Sequence, residues 1–214
     1  MAVRRITNAG NRKIVGKFAS LKMRRTVSWE SQIERDYLYL LEFDTEVLFY
    51  LEQPFRIRYL RSNKVHYYTP DFLVRRKEKK QIIEVKPDAQ VKKEENDLLF
   101  RTIAPICQQQ GYEFLVVTDS MIRASSYLNN IKLLYRYARI PIPAHYQVKC
   151  YEFFKTETVV TLGDLIQFFE SQGISRRVIY GFIYQRILET DLSFPINLNS
   201  AITLSKALIL QNKE

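Results

Sequence analysis

The chain has 214 residues, 46% of them hydrophobic, and carries a formal net charge of +10. That is enough apolar surface for one substantial domain and a small one, and too much for a disordered protein. No apolar run approaches the ~20 residues of a membrane span, and the basic start "MAVRRITNAGNRKIVGKF" lacks the apolar segment of a signal peptide. Two isolated cysteines, Cys107 and Cys150, and two histidines, His66 and His145, do not make a zinc site of the usual type. They read as reduced thiols of a cytoplasmic protein.

The positive charge is uneven. Residues 1–29 hold Arg4, Arg5, Arg12, Lys13, Lys17, Lys22, Arg24 and Arg25 and no acidic residue. This predicts a basic arm over 1–26 that binds a polyanion through counterion release, with a solvated tail as the bland alternative. "SWESQIERDYLYLLEFD" predicts a first helix, with Ile33, Tyr37, Leu38 and Leu41 at helical spacing. Next come a strand and a hairpin turning near "RSNK". A second hairpin joins "TPDFLV" to "QIIEVK" through the charged tip "RRKEKK". Residues 90–110 predict a helix stopped by Gly111. "YEFLVVT" predicts a strand buried on both faces and parallel to "QIIEVK", since a helix separates them. A helix over about 119–139 follows.

The expected first domain, 27–140, is therefore an α/β mixed sheet flanked by helices. "RIPIPAHY" reads as a stiff connection, and 141–214 as a small helical or winged-helix-like domain for partner or DNA contact, with two short helices turning at Gly173. There Arg176 and Arg177 open the second helix and could face DNA phosphates. Equally, Ile179, Phe182, Ile183 and Tyr184 could form a core or a protein-docking face.

The chemistry concentrates in residues 67–88. Alternation along a strand puts Glu84 and Lys86 on one face and Ile83 and Val85 on the other. With "RRKEKK" as a loop, Val74 pairs with Gln81, Phe72 with Ile83 and Asp71 with Glu84. Two carboxylates that close repel, and one would be forced to hold a proton. A magnesium ion removes the conflict, with Mn²⁺ able to substitute, and Lys86 beside it could orient a hydrolytic water. A surface hairpin whose three charges pair in water is the plain alternative. Glu34 is a candidate fourth member. Its spacing from Ser31 is also that of a helix capping box.

The joint occurrence of "S-x-x-E-R-D", "Y-x-x-Q-P", "T-P-D-F" and "E-V-K-P" in order resembles the TnsA transposon endonuclease family over roughly residues 15–140. The resemblance implies a restriction-endonuclease-like domain with Glu34, Asp71, Glu84 and Lys86 as the catalytic set, and the Val85 carbonyl completing the metal shell. Some relatives carry glutamine at the position of Glu84. It further implies cleavage of the 5′ strand of double-stranded DNA at transposon ends. The implied partners are a TnsB-type DDE transposase and a TnsC-type ATPase regulator. Lys13, Lys17, Lys22, Arg24 and Arg25, with Arg176 and Arg177, are the expected DNA contacts. An autonomous restriction or repair nuclease and a non-catalytic DNA-binding scaffold are the rival readings.

Overall fold

The computed structural model describes residues 15–205, which divide into two compact units with the boundary between Ala124 and Ser125. The first unit opens on a hairpin, β1 (Gly16–Ser20) and β2 (Arg25–Trp29), followed by helix α1 (Gln32–Phe43) and strand β3 (Val47–Glu52). A second hairpin, β4 (Ile57–Arg61) and β5 (Lys64–Tyr68), precedes β6 (Phe72–Arg76) and β7 (Lys80–Lys86). Helices α2 (Asp88–Val91) and α3 (Glu94–Gln109), strand β8 (Glu113–Thr118) and helix α4 (Asp119–Ile122) complete it.

The central sheet runs β3-β6-β7-β8. β6 is antiparallel to β3 and β7, and β8 is parallel to β7 across the α2–α3 crossover, so the fold is the expected mixed, restriction-endonuclease-like α/β sheet. The β6–β7 register pairs Phe72 with Ile83 and Val74 with Gln81, as alternation predicts. The turn between β4 and β5 is Ser62-Asn63, both left-handed at φ 49° and 60°. Such a two-residue turn matches the twist of the flanking strands.

Both faces of β7 are buried. On one, Phe72, Val74 and Ile83 are fully buried, and Tyr37 of α1 lies 5.9 Å from the Phe72 ring. On the other, Ile82 packs with Ile57, Tyr68, Ile103 and Cys107. The surface-hairpin alternative for Asp71, Glu84 and Lys86 is thereby overturned, because α3 and the β4–β5 hairpin cover that face.

Several expectations are corrected. Residues 16–29 are not part of an arm: they form the β1–β2 hairpin, whose turn is clamped by the buried Glu42 carboxylate. That carboxylate accepts from Ser20 Oγ (2.5 Å), the Leu21 and Lys22 N–H groups (3.1 and 3.2 Å) and Tyr50 Oη (2.5 Å). Residues 1–14 lie outside the described residues. The helix over 90–110 is two pieces, because Lys93 is extended (φ −73°, ψ 132°). The helix over 119–139 is also two pieces. Arg123 at the end of α4 reaches back to the buried Asp36 of α1, at 2.9 and 2.7 Å, and the chain restarts as α5.

The second unit comprises α5 (Tyr127–Tyr135), α6 (Ala144–Phe153), β9 (Val160–Thr161), α7 (Leu162–Ser171), α8 (Arg176–Tyr184), β10 (Leu188–Glu189) and β11 (Ala201–Leu204). The boundary thus falls after Ala124 rather than near 140. The reason is aromatic packing: Tyr135 meets Tyr184 at 6.0 Å and Tyr137 stacks on Tyr180 at 4.9 Å, which binds this stretch to α8. Helices α7 and α8 turn at Gly173 (φ 74°) around fully buried Phe169 and Phe182. A small antiparallel sheet, β10-β11-β9, backs them. Among the described residues no helix is long and apolar enough to cross a membrane, and Cys107 and Cys150 are free and buried.

Gly16 lies opposite Trp29, and a Cβ there would fall 2.2 Å from the indole ring. Gly16→Ala is expected to destabilise the chain by about 1–3 kcal/mol through overpacking, although alanine normally suits a strand better than glycine. Urea unfolding followed by the fluorescence of the single tryptophan measures this, and an unchanged midpoint would contradict it.

Candidate active site

The sheet ends where β6 begins and β7 finishes, and a cavity of about 420 Å³ opens there. Its lining includes Glu34 near the start of α1, Asp71 ahead of β6, Glu84, Val85 and Lys86 at the end of β7, and Tyr68 and Thr69 at the foot of β5. The four side chains predicted from separate stretches therefore share one pocket, together with Glu30 and Gln53.

Each carboxylate has protein partners. Glu84 is 3% exposed; it accepts from Tyr68 Oη at 2.5 Å and pairs with Lys86 Nζ at 2.6 Å. Asp71 Oδ2 accepts from the Val85 N–H at 2.7 Å. Glu34 meets both readings of its position. Its N–H donates to Ser31 Oγ at 3.1 Å, its Oε2 accepts from the Glu30 N–H at 2.8 Å, and it still lines the pocket.

These contacts do not balance the charge, since four carboxylates of the lining face one ammonium. Burial, then Glu84 and Glu34, push the Asp71 carboxyl well above its ordinary value, against the Val85 N–H and Lys86. Burial likewise raises Glu34, reinforced by Glu30 and Glu84. Burial acts against the Lys86 ammonium, but Glu84, Asp71 and Glu34 together hold its pKa above the usual lysine value. Lys86 is therefore a cation here, suited to stabilising negative charge rather than to removing a proton.

Sequence reasoning missed Tyr68 and Gln53 as members of this site. Tyr68 carried no signal, because its partner lies two strands away. Gln53 stood in the "Q-P" pair, and its left-handed backbone (φ 42°) marks it. Its Nε2 donates to Glu30 Oε1 at 3.1 Å, which fixes the amide orientation, and its buried side-chain oxygen has no hydrogen-bond partner among the described residues.

The oxygen-rich lining is chemically suited to a hard divalent cation. As placed, no three Asp, Glu, His or Cys side chains among the described residues form a metal-holding group. Glu84, Asp71 and Glu34 are each bonded to protein groups instead.

The expected DNA contacts are divided by the structure. Lys17 and Arg24 are exposed on the first hairpin. Lys22 and Arg25 have structural roles instead. Lys22 Nζ donates to the Leu41 and Asp44 carbonyls at 2.8 and 2.5 Å. Arg25 forks onto the buried Glu52 at 2.7 and 2.5 Å. Lys13 lies outside the described residues. In the second unit Arg176 pairs with Glu170 at 2.7 Å and Arg177 is exposed. Beyond that first turn, α8 buries Val178, Ile179, Phe182 and Ile183.

The mixed β3-β6-β7-β8 sheet, with carboxylates and a lysine gathered at one end of its two central strands, is a restriction-endonuclease-like fold. Residues 44–119 match the family model of the TnsA-like endonuclease N-terminal domain, which supports a TnsA-type family for the chain. The match holds Asp71, Glu84, Val85 and Lys86, and leaves out Glu34, the first hairpin and the second unit. No curated protein matches the chain.

Because the Asp71 carboxyl is raised in the folded chain, the native state keeps a proton that the unfolded chain releases above its ordinary value of about 4. Stability from this group is therefore lost as pH rises from about 4 through the raised value. With chelator present, Asp71→Asn is expected to stabilise the chain at about pH 8 and to have little effect at about pH 4. Urea midpoints at the two pH values measure this, and equal effects at both would contradict it.

Proposed function

We propose that this protein is the nuclease subunit of a cut-and-paste heteromeric transposase, hydrolysing the 5′ strand of double-stranded DNA at transposon ends. The observation that supports it is the meeting of Glu34, Asp71, Glu84 and Lys86 in one buried pocket of a TnsA-like endonuclease domain. Asp71 and Glu84, with Glu34 and the Val85 carbonyl, would hold Mg²⁺ or Mn²⁺. Such an ion supplies Lewis-acid stabilisation of a phosphoryl oxygen and a more acidic water.

The chain's own groups do the rest. Glu84 bridges Tyr68 and Lys86, so a change at this carboxylate frees a phenol and an ammonium together. Lys86, one-third exposed, then faces the pocket and can hold the attacking water and the charge growing on the phosphate. Water adds to phosphorus as the bond to the 3′ oxygen breaks, leaving a 3′-hydroxyl and a 5′-phosphate. A DDE transposase of TnsB type would cut and join the other strand, and an ATPase of TnsC type would regulate both. The proposed setting is the bacterial cytoplasm, on the nucleoid.

One observation favours a scaffold in which the acids are structural: Glu34, Asp71 and Glu84 are each bonded within the protein. Calorimetry separates the two readings. Mg²⁺ or Mn²⁺ should bind the wild type and fail to bind Asp71→Ala, and no binding to either would favour the scaffold. In a cleavage assay on transposon-end duplex with the partner transposase, Asp71→Ala should abolish 5′-strand cutting. Lys86→Met should slow it by about 10²–10³-fold, as loss of a transition-state donor does. Unchanged cutting by both variants would exclude the assignment, and nicking by the purified chain alone would point to an autonomous nuclease.

A further inference from the structure

The β4–β5 hairpin stands apart from the central sheet as a two-stranded sheet of its own. One of its faces is packed at its foot. Ile57 and Tyr68 join Ile82, Ile103 and Cys107, with Tyr59 packed alongside. The opposite face is open. By alternation it carries Arg58 opposite Tyr67 and Leu60 opposite Val65, with Arg56 just before the strand on the same side. Leu60, Tyr67 and Val65 are 66%, 65% and 44% exposed. Three large apolar side chains in one exposed stripe gain nothing from folding and mark a surface that meets a partner.

The charge on the stripe selects the partner. Residues 54–70, "PFRIRYLRSNKVHYYTP", contain Arg56, Arg58, Arg61 and Lys64 and no acidic residue. Arg61 leans inward toward Glu95 at 4.0 Å, which leaves Arg56 and Arg58 on the open face and Lys64 at the tip. Continuity adds a second argument. The foot of β5 is Tyr68, bonded to Glu84, and then Thr69, both lining the catalytic pocket. From Tyr68 to the tip is about 17 Å at ~3.4 Å per residue, the length of about five base pairs.

We propose that the β4–β5 hairpin is a duplex-DNA docking ribbon that lays the strand to be cut across the pocket at its foot. A two-stranded ribbon fits the major groove. Arg56, Arg58 and Lys64 neutralise phosphates along its edges, while Leu60, Val65 and Tyr67 cover the sugars and base edges between them. This deepens the nuclease reading by naming the surface that presents the substrate, and it rests on that reading only for the fate of the DNA.

The test separates binding from cutting. The full chain carrying Asp71→Asn is titrated with a fluorescein-labelled duplex in chelator, and anisotropy is followed over a range of salt. In the triple variant Arg56→Ala, Arg58→Ala, Lys64→Ala, affinity should fall and the slope of log affinity against log salt should become shallower. The expected change is about 0.9 for each phosphate that the variant no longer neutralises. Leu60→Ser with Tyr67→Ser should weaken binding with little change in slope. Arg101→Ala, on the exposed side of α3, should alter neither. These positions are exposed, so an unchanged thermal midpoint verifies the fold. Wild-type affinity and slope in the triple variant would overturn the inference. So would ribbon variants that lose only their association with the partner transposase, which would make the stripe a protein-docking face. A chain that binds through the ribbon but never cuts would keep this inference and remove the nuclease reading.

Discussion

The organising constraint of the first unit is the burial of ionised groups on one face of β7. Glu84 sits in the same strand as Ile82 and Ile83, both fully buried, and desolvating a carboxylate there is costly unless donors meet it. The fold supplies them from three directions: a phenol from the end of β5, an ammonium from the next outward position of β7, and, for the neighbouring Asp71, a backbone N–H of the same strand. All of this depends on the β6–β7 register. A slip of one residue would turn Glu84 and Lys86 into the α1-facing core and put Ile83 on the face that now holds the pocket.

Buried acids are common in this unit, and their surroundings distinguish them. Glu42 clamps a turn through two N–H groups and two hydroxyls, Glu52 takes an arginine fork, and Asp36 takes another from Arg123. Each holds two distant segments together. Asp71 and Glu34 differ. They face other carboxylates in the pocket, and burial first, then those neighbours, push their protonation upward. The same contrast extends to Lys22 and Arg25, basic residues in a basic stretch, whose side chains bond to backbone carbonyls and to the buried Glu52.

Local pattern made the central hairpin legible. Strand alternation and the length of the charged tip led to the Phe72–Ile83 and Val74–Gln81 pairs, and an intervening helix implied a parallel β8. The Ser62-Asn63 turn was visible for the same reason. The first hairpin was not, because its turn, Leu21–Arg24, holds no Gly, Pro, Asn or Asp to mark it. Its stability comes from Glu42, more than a dozen residues onward. The divided helices and the unit boundary also escaped, since the break at Lys93 lies in a polar run with no Gly or Pro to mark it, and apolar spacing continues past Arg123. Tertiary partners, Asp36 for Arg123 and α8 for α5, decide those places. Among the site residues Asp71, Glu84 and Lys86 followed from strand geometry. Tyr68 and Gln53 reach the pocket by contacts that no linear pattern encodes.

The balance of charge across the chain then has a physical sense. A pocket with several carboxylates repels a phosphate at short range, yet the chain as a whole carries +10. On the proposed reading the two signs act at different distances. Exposed cations on the β4–β5 hairpin, with Lys17 and Arg24 on the first, attract the duplex over a Debye length of about 8–10 Å. Inside the pocket, where screening is weak, the acids oppose close approach of the phosphate until their charge is compensated. Asp71 and Glu34 are held high by burial and neighbouring carboxylates, and an added positive charge beside them would favour their ionised forms. Attraction to DNA can thus be broad and constant, while productive seating of one phosphate depends on the charge state of a few buried oxygens.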